Sequence, residues 1–337
     1  MKKMLAALAA LIAFPGLAHA QATLNVICSV QVEWCQAIST EFQKATGTKV
    51  SMVQKGSGEA LAQIAAESAN PRTDVWFGGT GDPHLQAAER GLTQEYASPN
   101  LAQLHAWAQD QHRQSGGKTV GVYMGALGFG FNTEALAKRK TKAPACWSDL
   151  LRPEFKGEVQ MANPASSGTA YTAIATLVQV MGEEKAFDYL KGLHRNVSQY
   201  TKSGTAPIKN VARGEATVSV SFVHDAVTEA VAGFPVQSAT PCEGTGYEIG
   251  SMSLVKGARN MDVAKKFYDW ALTAPAQDLG GSTKQFQVPS NRAAKVNPLA
   301  PDFSRIKLID YDSAKYGASA ERKRLIERWE RDVNSAR

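Results

Sequence analysis

The residues best suited to chemistry in this sequence are small and polar, and they stand in short turns between apolar segments. Residues 56–58 read Gly-Ser-Gly, residues 78–81 read Gly-Gly-Thr-Gly, and residues 163–169 read Asn-Pro-Ala-Ser-Ser-Gly-Thr. Glycine lets the backbone approach a ligand closely, and Ser and Thr add hydroxyl donors. At a helix start, such a turn also presents free backbone N–H groups, which suit a phosphate or carboxylate. The turns therefore predict an anion site, although most turns of this kind only begin helices.

The same turns are expected to connect strands to helices. Short segments near residues 24–27, 49–53, 74–77, 159–161 and 218–223 each end in small or polar residues, and a helical pattern follows at once. Strands that alternate with helices predict α/β layers with mostly parallel sheets. Ligands bind beyond the carboxyl ends of the strands in such sheets, so the turns should meet at one edge.

Two acidic residues stand at predicted helix starts. Asp82 precedes Pro83, which predicts an N-cap followed by proline at the first helical position. Asp225 follows His224 directly after the fifth strand, and it could serve only as the N-cap of the next helix. His224 could likewise be an ordinary buried histidine.

The spacing of these units predicts two lobes. Residues 120–131 form a glycine-spaced apolar stretch that could cross between the lobes, and residues 247–255 could form the return crossing. We therefore predict a two-lobed α/β fold, in which each lobe is a mixed, mostly parallel sheet flanked by helices. In this division the first lobe comprises residues 21–122 and 247–290, and the second comprises residues 123–246 and 291–337.

The first twenty residues have the order of parts found in a secretory signal peptide. Lys2 and Lys3 precede an apolar run, Pro15 and Gly16 end that run, and Ala18-His19-Ala20 offers a cleavage site after Ala20. The alternative, a membrane anchor, needs about 20 apolar residues to cross a bilayer. Gln21 rather than cysteine follows the cleavage site, so no lipid anchor is indicated. The sequence predicts a soluble periplasmic protein.

Four cysteines fit an oxidising compartment. They allow three pairings, among which sequence alone cannot choose. Cys28 and Cys35 lie close together, so a local bridge is the first hypothesis, and Cys146 would then pair with Cys242. Buried free thiols are the alternative. Zinc binding is disfavoured because the sequence has no C-x-x-C pattern.

The charge of the chain favours small anionic ligands over nucleic acid. The formal charge is +6, and loss of Lys2 and Lys3 leaves +4. A modest positive field attracts anions. The basic residues are scattered rather than grouped in one patch, so nucleic acid is not indicated as a partner. The basic stretch at 321–331 contains interleaved acids and is interpreted as a solvated helix face.

Together these segments resemble one known family over essentially the whole chain after residue 20. Its motifs are matched by Cys28-Ser29, residues 55–59 (Lys-Gly-Ser-Gly-Glu), residues 74–81, residues 166–171 and residues 212–215. The chain is similar to the ferric-ion, sugar-phosphate and phosphonate cluster of ABC importer solute-binding proteins. That resemblance implies the type II periplasmic-binding-protein fold, with two lobes that close over a ligand. It also implies a monomer whose partner is an inner-membrane permease with its ATPase.

Within this cluster the chain is most similar to the hexose-phosphate binders. That resemblance implies a His-Asp pair at the end of a second-lobe strand and a later glutamate, which match His224, Asp225 and Glu248. These three side chains would bind sugar hydroxyls, although Glu248 could also be a surface residue. The phosphate would bind residues at the turns of both lobes: Ser29, Ser57, Thr80, Gly81, Ser167, Gly168 and Thr169.

Three other functions are weighed against sugar-phosphate binding. Ferric-ion binders of this fold use adjacent tyrosines, and the sequence contains no Tyr-Tyr pair. Phosphonates remain a ligand class that the turns do not distinguish from sugar phosphates. An enzyme is disfavoured because neither H-E-x-x-H nor G-x-S-x-G occurs. Residues 280–284 (Gly-Gly-Ser-Thr-Lys) only superficially resemble a P-loop and are interpreted as a loop, and no cofactor or metal is predicted.

Overall fold

The structure is a computed structural model that describes residues 23–335. The predicted signal peptide, residues 1–20, and its cleavage site lie outside the described residues. Within the described part of the chain, no helix combines the length and apolar character that a membrane crossing requires.

Within residues 23–335, eleven strands form two sheet regions that share one long strand. The order across both regions is β2-β1-β3-β10-β5-β8-β6-β7, with β4 beside β10 and with β9 and β11 beside β5. The strands are β1 Thr23–Cys28, β2 Lys49–Gln54, β3 Val75–Phe77, β4 Thr93–Gln94, β5 Val120–Asn132, β6 Val159–Ala162, β7 Val197–Thr201, β8 Val218–Phe222, β9 Val236–Ala239, β10 Tyr247–Val255 and β11 Val288–Pro289.

In the described part of the chain, thirteen α-helices cover the faces of the two sheet regions. They are α1 Val32–Thr46, α2 Ser57–Ala66, α3 Gly81–Glu89, α4 Ala106–Gln114, α5 Thr133–Arg139, α6 Gly168–Met181, α7 Glu183–His194, α8 Ala206–Ala212, α9 Val223–Val231, α10 Met261–Ala271, α11 Ala274–Ser282, α12 Ser313–Tyr316 and α13 Ser319–Trp329. Residues 280–282 are part of α11, so the interpretation of residues 280–284 as a loop was wrong for those three positions.

The sheets are mixed, as predicted, but the expectation that they are mostly parallel was wrong, because the long strands β5 and β10 run antiparallel to their neighbours. β1 is parallel to β2 and β3, and β6 is parallel to β7 and β8. β5 runs antiparallel to β10 through its first half and antiparallel to β8 and β9 through its second half. Because β5 belongs to both regions, it links the two lobes, and the predicted two-lobed α/β fold is confirmed.

Each lobe has its own hydrophobic core. In the first lobe, Trp34 and Phe77 pack with Phe267 of α10. In the second lobe, Phe129 and Trp147 share the core with Trp329 of the C-terminal helix. The C-terminal segment passes between the lobes after Arg292, which still donates to the Ala102 and Leu104 carbonyls of the first lobe. The predicted boundary after residue 290 stays a prediction.

All four cysteines are paired. Cys28 at the end of β1 is bonded to Cys35 on α1, and Cys146 is bonded to Cys242 across 96 positions of sequence. These are the two pairs that the sequence suggested first. The second bridge joins the segment that follows α5 to the segment that precedes β10.

Two helices begin earlier than the sequence suggested. α3 begins at Gly81 with Thr80 as its N-cap, so Pro83 lies inside the first turn. The N–H groups of a first turn have no intrahelical partner, so proline is tolerated there and does not mark the start. α9 begins at Val223, so Asp225 also lies inside a first turn, and the interpretation of Asp225 as an N-cap was wrong.

Candidate ligand-binding site

The predicted small-residue turns meet at a cavity of about 300 Å³ between the two lobes. We call this space the serine cavity. The first lobe contributes the ends of β1 and β2 and the start of α2, and the second lobe contributes the start of α6 and the loop after β7. Its lining comprises Ser29, Val30, Gln54, Lys55, Gly56, Ser57, Glu59, Ser167, Gly168, Thr169, Lys202, Ser203, Gly204 and Thr205.

Two helix N-termini face each other across the serine cavity. α2 begins at Ser57 and α6 begins at Gly168, and the backbone N–H of Gly58 donates to the Ser166 carbonyl at 3.1 Å. The N-terminal end of each helix carries a partial positive charge and unpaired N–H groups. The cavity therefore favours an anion.

Three serine hydroxyls of the cavity lining can act as donors. Ser29 Oγ accepts from Trp76 Nε1 at 2.9 Å, and Ser57 Oγ accepts from the Thr80 N–H at 3.1 Å. Ser167 Oγ caps α6 by accepting from the Ala170 N–H at 3.5 Å. Each oxygen thus already accepts a hydrogen bond, so its own O–H is available to donate. Three such donors match an oxyanion with several acceptor oxygens.

The charged side chains of the serine cavity leave an excess of one positive charge. Lys55 and Lys202 line the cavity together with Glu59, and Lys202 Nζ lies 2.7 Å from Glu59 Oε1 across the two lobes. Partial burial acts to raise the pKa of Glu59, but hydrogen bonds from Lys202 and from the Gly56 N–H outweigh it and lower that pKa. Glu59 is thus ionised at neutral pH and neutralises one of the two lysines.

Thr80 and Gly168 bring the two lobes into close contact. A Cβ atom on Gly168 would overlap Thr80 Oγ1 and would also lie 2.9 Å from Thr80 Cβ, so a glycine is needed at this position. Thr80 Oγ1 is buried and has no hydrogen-bond partner within residues 23–335. Thr80, Gly81 and Glu248 line a crevice of about 30 Å³ beside this contact.

Three buried titratable side chains form a second group, which we call the acid–histidine group. His224 Nε2 lies 3.6 Å from Asp225 Oδ1 and 3.8 Å from Glu248 Oε1. All three residues are at most 5% exposed. These distances exceed hydrogen-bonding range, so each side chain keeps capacity for a donor or acceptor from a ligand. His224 Nδ1 is also unpartnered among the described residues.

Burial controls the protonation of the acid–histidine group. Desolvation lowers the pKa of His224 to about 3, so its imidazole is neutral. Desolvation also raises the pKa of Asp225 to about 7, and a hydrogen bond from Gln31 partly opposes this rise. Desolvation, reinforced by the nearby Asp225 carboxylate, raises the pKa of Glu248 well above its ordinary value. Donors from a ligand would stabilise the charged carboxylates here.

Gln31 is a site residue that sequence reasoning missed. Its Nε2 donates to Asp225 Oδ1 across the lobes, and its Oε1 is buried without a partner among the residues described. Gln31 follows Ser29 and Val30 at the carboxyl end of β1, and this position at the sheet edge was the available signal.

The loop after β7 was also missed. Residues 202–205 (Lys-Ser-Gly-Thr) follow β7 and line the serine cavity, in the same strand–turn–helix pattern as the predicted turns. A Cβ atom on Gly204 would overlap Thr169 Oγ1, so this loop packs directly on the start of α6. The pattern of small residues after a strand would have identified the loop.

The structure thus brings the predicted residues together in two groups. Ser29, Ser57, Ser167, Gly168 and Thr169 line the serine cavity, with Thr80 and Gly81 next to them. His224, Asp225 and Glu248 form the buried acid–histidine group. The two groups do not share one cavity, because Glu248 lines the small crevice and Asp225 lines a further cavity together with Gln31.

The chain is similar to known proteins in both sequence and structure. The profile of the family "bacterial extracellular solute-binding protein" matches residues 78–316. An uncharacterized protein of Haemophilus influenzae (strain Rd) is 48% identical over 334 residues, which cover 98% of this chain and 96% of that protein.

Two solved structures are similar over nearly their whole length. The periplasmic binding protein AfuA from Actinobacillus pleuropneumoniae, with exogenous fructose-6-phosphate bound, is 48% identical with a TM-score of 0.91, and the match covers 93% of this chain and 99% of that one. The periplasmic binding protein P5PA is 44% identical with a TM-score of 0.90, covering 92% and 99%.

Proposed function

This chain belongs to the family of bacterial extracellular solute-binding proteins, and we propose that its cargo is a phosphorylated sugar, with a hexose phosphate as the best candidate. The protein has the type II periplasmic-binding-protein fold and is the periplasmic binding component of an ABC importer. One observation carries the proposal: a cavity that both lobes form and that favours an anion accompanies a buried group of two carboxyls and an imidazole, whose Nδ1 has no partner among the described residues.

The phosphate end of the ligand would bind in the serine cavity. The N-termini of α2 and α6 supply backbone N–H groups, and Ser29, Ser57 and Ser167 supply hydroxyl donors. Hydrogen bonds to an ionised acceptor are about twice as strong as those between neutral groups. The excess positive charge of Lys55 and Lys202 over Glu59 adds to this attraction.

The sugar end of the ligand would bind the acid–histidine group. A hexose carries several adjacent hydroxyls, each of which can donate one hydrogen bond. Asp225 and Glu248 can accept from these hydroxyls, and the neutral His224 can donate or accept through Nδ1. The hydroxyl donors of a polyol therefore match the acceptors of the acid–histidine group.

Closure of the lobes would couple the two ends. Contacts between the lobes already surround the site: Gly58 to Ser166, Lys202 to Glu59, and Gln31 to Asp225. A ligand that bonds to both lobes favours the closed state over the open state by its differential affinity. The closed protein would then dock on the inner-membrane permease and its ATPase.

The comparison with AfuA supports this choice of cargo. AfuA carries fructose-6-phosphate in its structure and shares 48% of its residues with this chain. The family consists of binding proteins rather than enzymes, which agrees with the lack of a catalytic motif. Members are extracellular or periplasmic, and we propose that residues 1–20 are the signal peptide, that cleavage follows Ala20 and that the mature protein is a monomer.

Isothermal titration calorimetry on the purified mature protein tests the proposal. The ligands are glucose 6-phosphate, glucose, 2-aminoethylphosphonate and ferric citrate. We expect binding of glucose 6-phosphate and none of glucose at the same concentration, because the serine cavity requires the anion. Binding of the phosphonate or of ferric citrate in place of the sugar phosphate would overturn the proposal.

A further inference from the structure

A second cavity, of about 340 Å³, lies between the lobes next to the serine cavity. We call it the glutamine cavity. The first lobe contributes Gln31 and the end of α11 with the residues that follow it, and the second lobe contributes α8 and α9. Its lining includes Gln31, Lys209, Asp225, Phe234 and Gln285.

The two cavities adjoin each other. Thr205 lines both of them, and the consecutive residues Val30 and Gln31 line the serine cavity and the glutamine cavity respectively. Asp225, which belongs to the acid–histidine group, also lines the glutamine cavity and bonds to Gln31 there. A ligand held by Asp225 at its sugar end would therefore reach the edge of the glutamine cavity.

Two buried amide oxygens in the glutamine cavity lack donors. Gln31 is 6% exposed and Gln285 is 3% exposed, and the Oε1 atom of each has no hydrogen-bond partner in the part of the chain that the structure describes. Gln285 uses its Nε2 to donate to the Thr283 carbonyl, which leaves the oxygen as its free group. Buried acceptors without donors are unfavourable, so the cavity is suited to a ligand that brings hydroxyl groups.

The formal charges that line the glutamine cavity cancel. The lining contains three acidic and three basic residues: Glu33, Asp225 and Glu229, and Lys209, Arg213 and Lys284. A second phosphate would find no excess positive charge here, in contrast to the serine cavity. A neutral polar group is favoured instead.

One wall of the glutamine cavity is apolar. Phe234 is 39% exposed, and Ile208 and Ala232 line the cavity beside it. A pyranose ring has C–H groups on its faces and hydroxyls around its rim. Its face can cover the aromatic ring while its rim donates to amide oxygens, which matches the general composition of ligand pockets.

We propose that the glutamine cavity binds the second sugar ring of a phosphorylated glycoside whose first, phosphorylated ring is held by the serine cavity and the acid–histidine group. This inference rests on the proposed function. The linkage between the rings would pass Thr205, and hydroxyls of the second ring would donate to Gln31 and Gln285. The protein would then accept phosphorylated disaccharides as well as hexose phosphates.

The test is calorimetry with glucose 6-phosphate, trehalose 6-phosphate and trehalose. In trehalose 6-phosphate the second ring is joined to C1 of the ring that carries the phosphate on C6. We expect trehalose 6-phosphate to bind at least as tightly as glucose 6-phosphate, and trehalose to bind far more weakly than either. If glucose 6-phosphate binds and trehalose 6-phosphate does not, this inference fails while the proposed function stands; if neither phosphate binds, both fail.

Variants of the cavity wall locate the second ring. Phe234→Ala should weaken the binding of trehalose 6-phosphate by about threefold to tenfold, the range for loss of one aromatic contact. The affinity for glucose 6-phosphate should stay unchanged. Leu151→Ala is the matched control, because Leu151 is also 39% exposed and lines neither cavity between the lobes. Gln285→Met, which keeps the side-chain length, should act like Phe234→Ala. Equal weakening of both phosphates by these variants would overturn the inference.

Discussion

The serine cavity and the acid–histidine group are built from opposite kinds of polar atoms. The serine cavity presents donors whose other hydrogen bonds are already made, such as Ser57, which accepts from the Thr80 N–H. The acid–histidine group presents acceptors and an imidazole that lie beyond hydrogen-bonding distance of one another. The serine cavity is organised before the ligand binds, whereas the hydrogen bonds of the acid–histidine group are completed by the ligand. The first should therefore supply affinity for any suitable anion, and the second should decide which anion is kept.

The largest effect is expected from disrupting the contact between the two lobes at Thr80 and Gly168. Gly168→Ala places a methyl group against Thr80 Oγ1, Cβ and Cγ2 together, so rotation of the threonine does not relieve the overlap. Overpacking costs about 1–3 kcal/mol, and at the upper end binding of glucose 6-phosphate should weaken about a hundredfold. Calorimetry measures the affinity, and small-angle scattering measures whether ligand still compacts the protein.

Gly281→Ala is the matched control for that variant. Gly281 also lies in a helix, and the nearest atom to its added Cβ is 3.9 Å away. The control should bind like the wild type. Wild-type affinity and ligand-induced compaction in Gly168→Ala would show that closure does not require the contact between Thr80 and α6.

Removing carboxylates from the acid–histidine group should have the next largest effect. Asp225→Ala and Glu248→Ala should each weaken hexose-phosphate binding by about 2 kcal/mol, roughly thirtyfold, because charge-assisted hydrogen bonds to sugar hydroxyls are lost. Binding of inorganic phosphate should change far less. Asp188→Ala on the exposed face of α7 serves as the control, with 78% of that side chain exposed. Equal losses for phosphate and sugar phosphate would contradict the division of roles between the two regions.

The two regions also differ in how well the sequence predicts them. The serine cavity depends on helix starts, which are local patterns, so Ser57 and Ser167 could be identified from their neighbours in sequence. The convergence of Asp225 and Glu248 on His224 depends on how α9 and β10 pack against the shared strand β5. Spacing does not encode that packing, and these residues were identified through family resemblance. Gln31 was missed because its role depends on contact with the opposite lobe.

The titration of Asp225 gives an expected pH dependence. Its pKa is raised to about 7, so its carboxyl becomes protonated as the pH falls below 7 and then accepts hydroxyl donors less well. Hexose-phosphate affinity should fall by up to about tenfold per pH unit between pH 7 and 6, the limit for one coupled proton. Calorimetry across this range measures the slope. The ligand phosphate titrates near pH 6 as well, so Asp225→Asn is compared under the same conditions.

The titration of Asp225 should affect the stability of the ligand-free protein in the opposite direction: stability should fall as the pH rises, whereas affinity should increase. A carboxyl whose pKa rises on folding stabilises the folded state fully below about pH 4, its unfolded value, and loses this contribution as the pH rises to about 7. As the pH rises from 4 to 7, the Tm of the wild type should therefore fall relative to the Tm of Asp225→Asn. His224, whose pKa is lowered, contributes in both proteins and cancels from the difference. A constant difference across this range would show that Asp225 does not titrate there.

The smallest effect on ligand affinity is expected from variants at the rim of the serine cavity. Whether affinity rises or falls in these variants distinguishes two possible roles of Lys202. The Lys202 side chain is 78% exposed, and an exposed ion pair with Glu59 should change affinity by less than about fivefold. If Lys202 acts only by joining the lobes, Lys202→Met and Glu59→Gln should weaken binding equally, since each removes the same pair. If Lys202 instead contacts the phosphate, Glu59→Gln frees the lysine and should tighten binding, whereas Lys202→Met should weaken it. The excess positive charge of the cavity favours the second outcome, and Lys191→Met, which breaks an exposed pair on α7, should leave affinity unchanged.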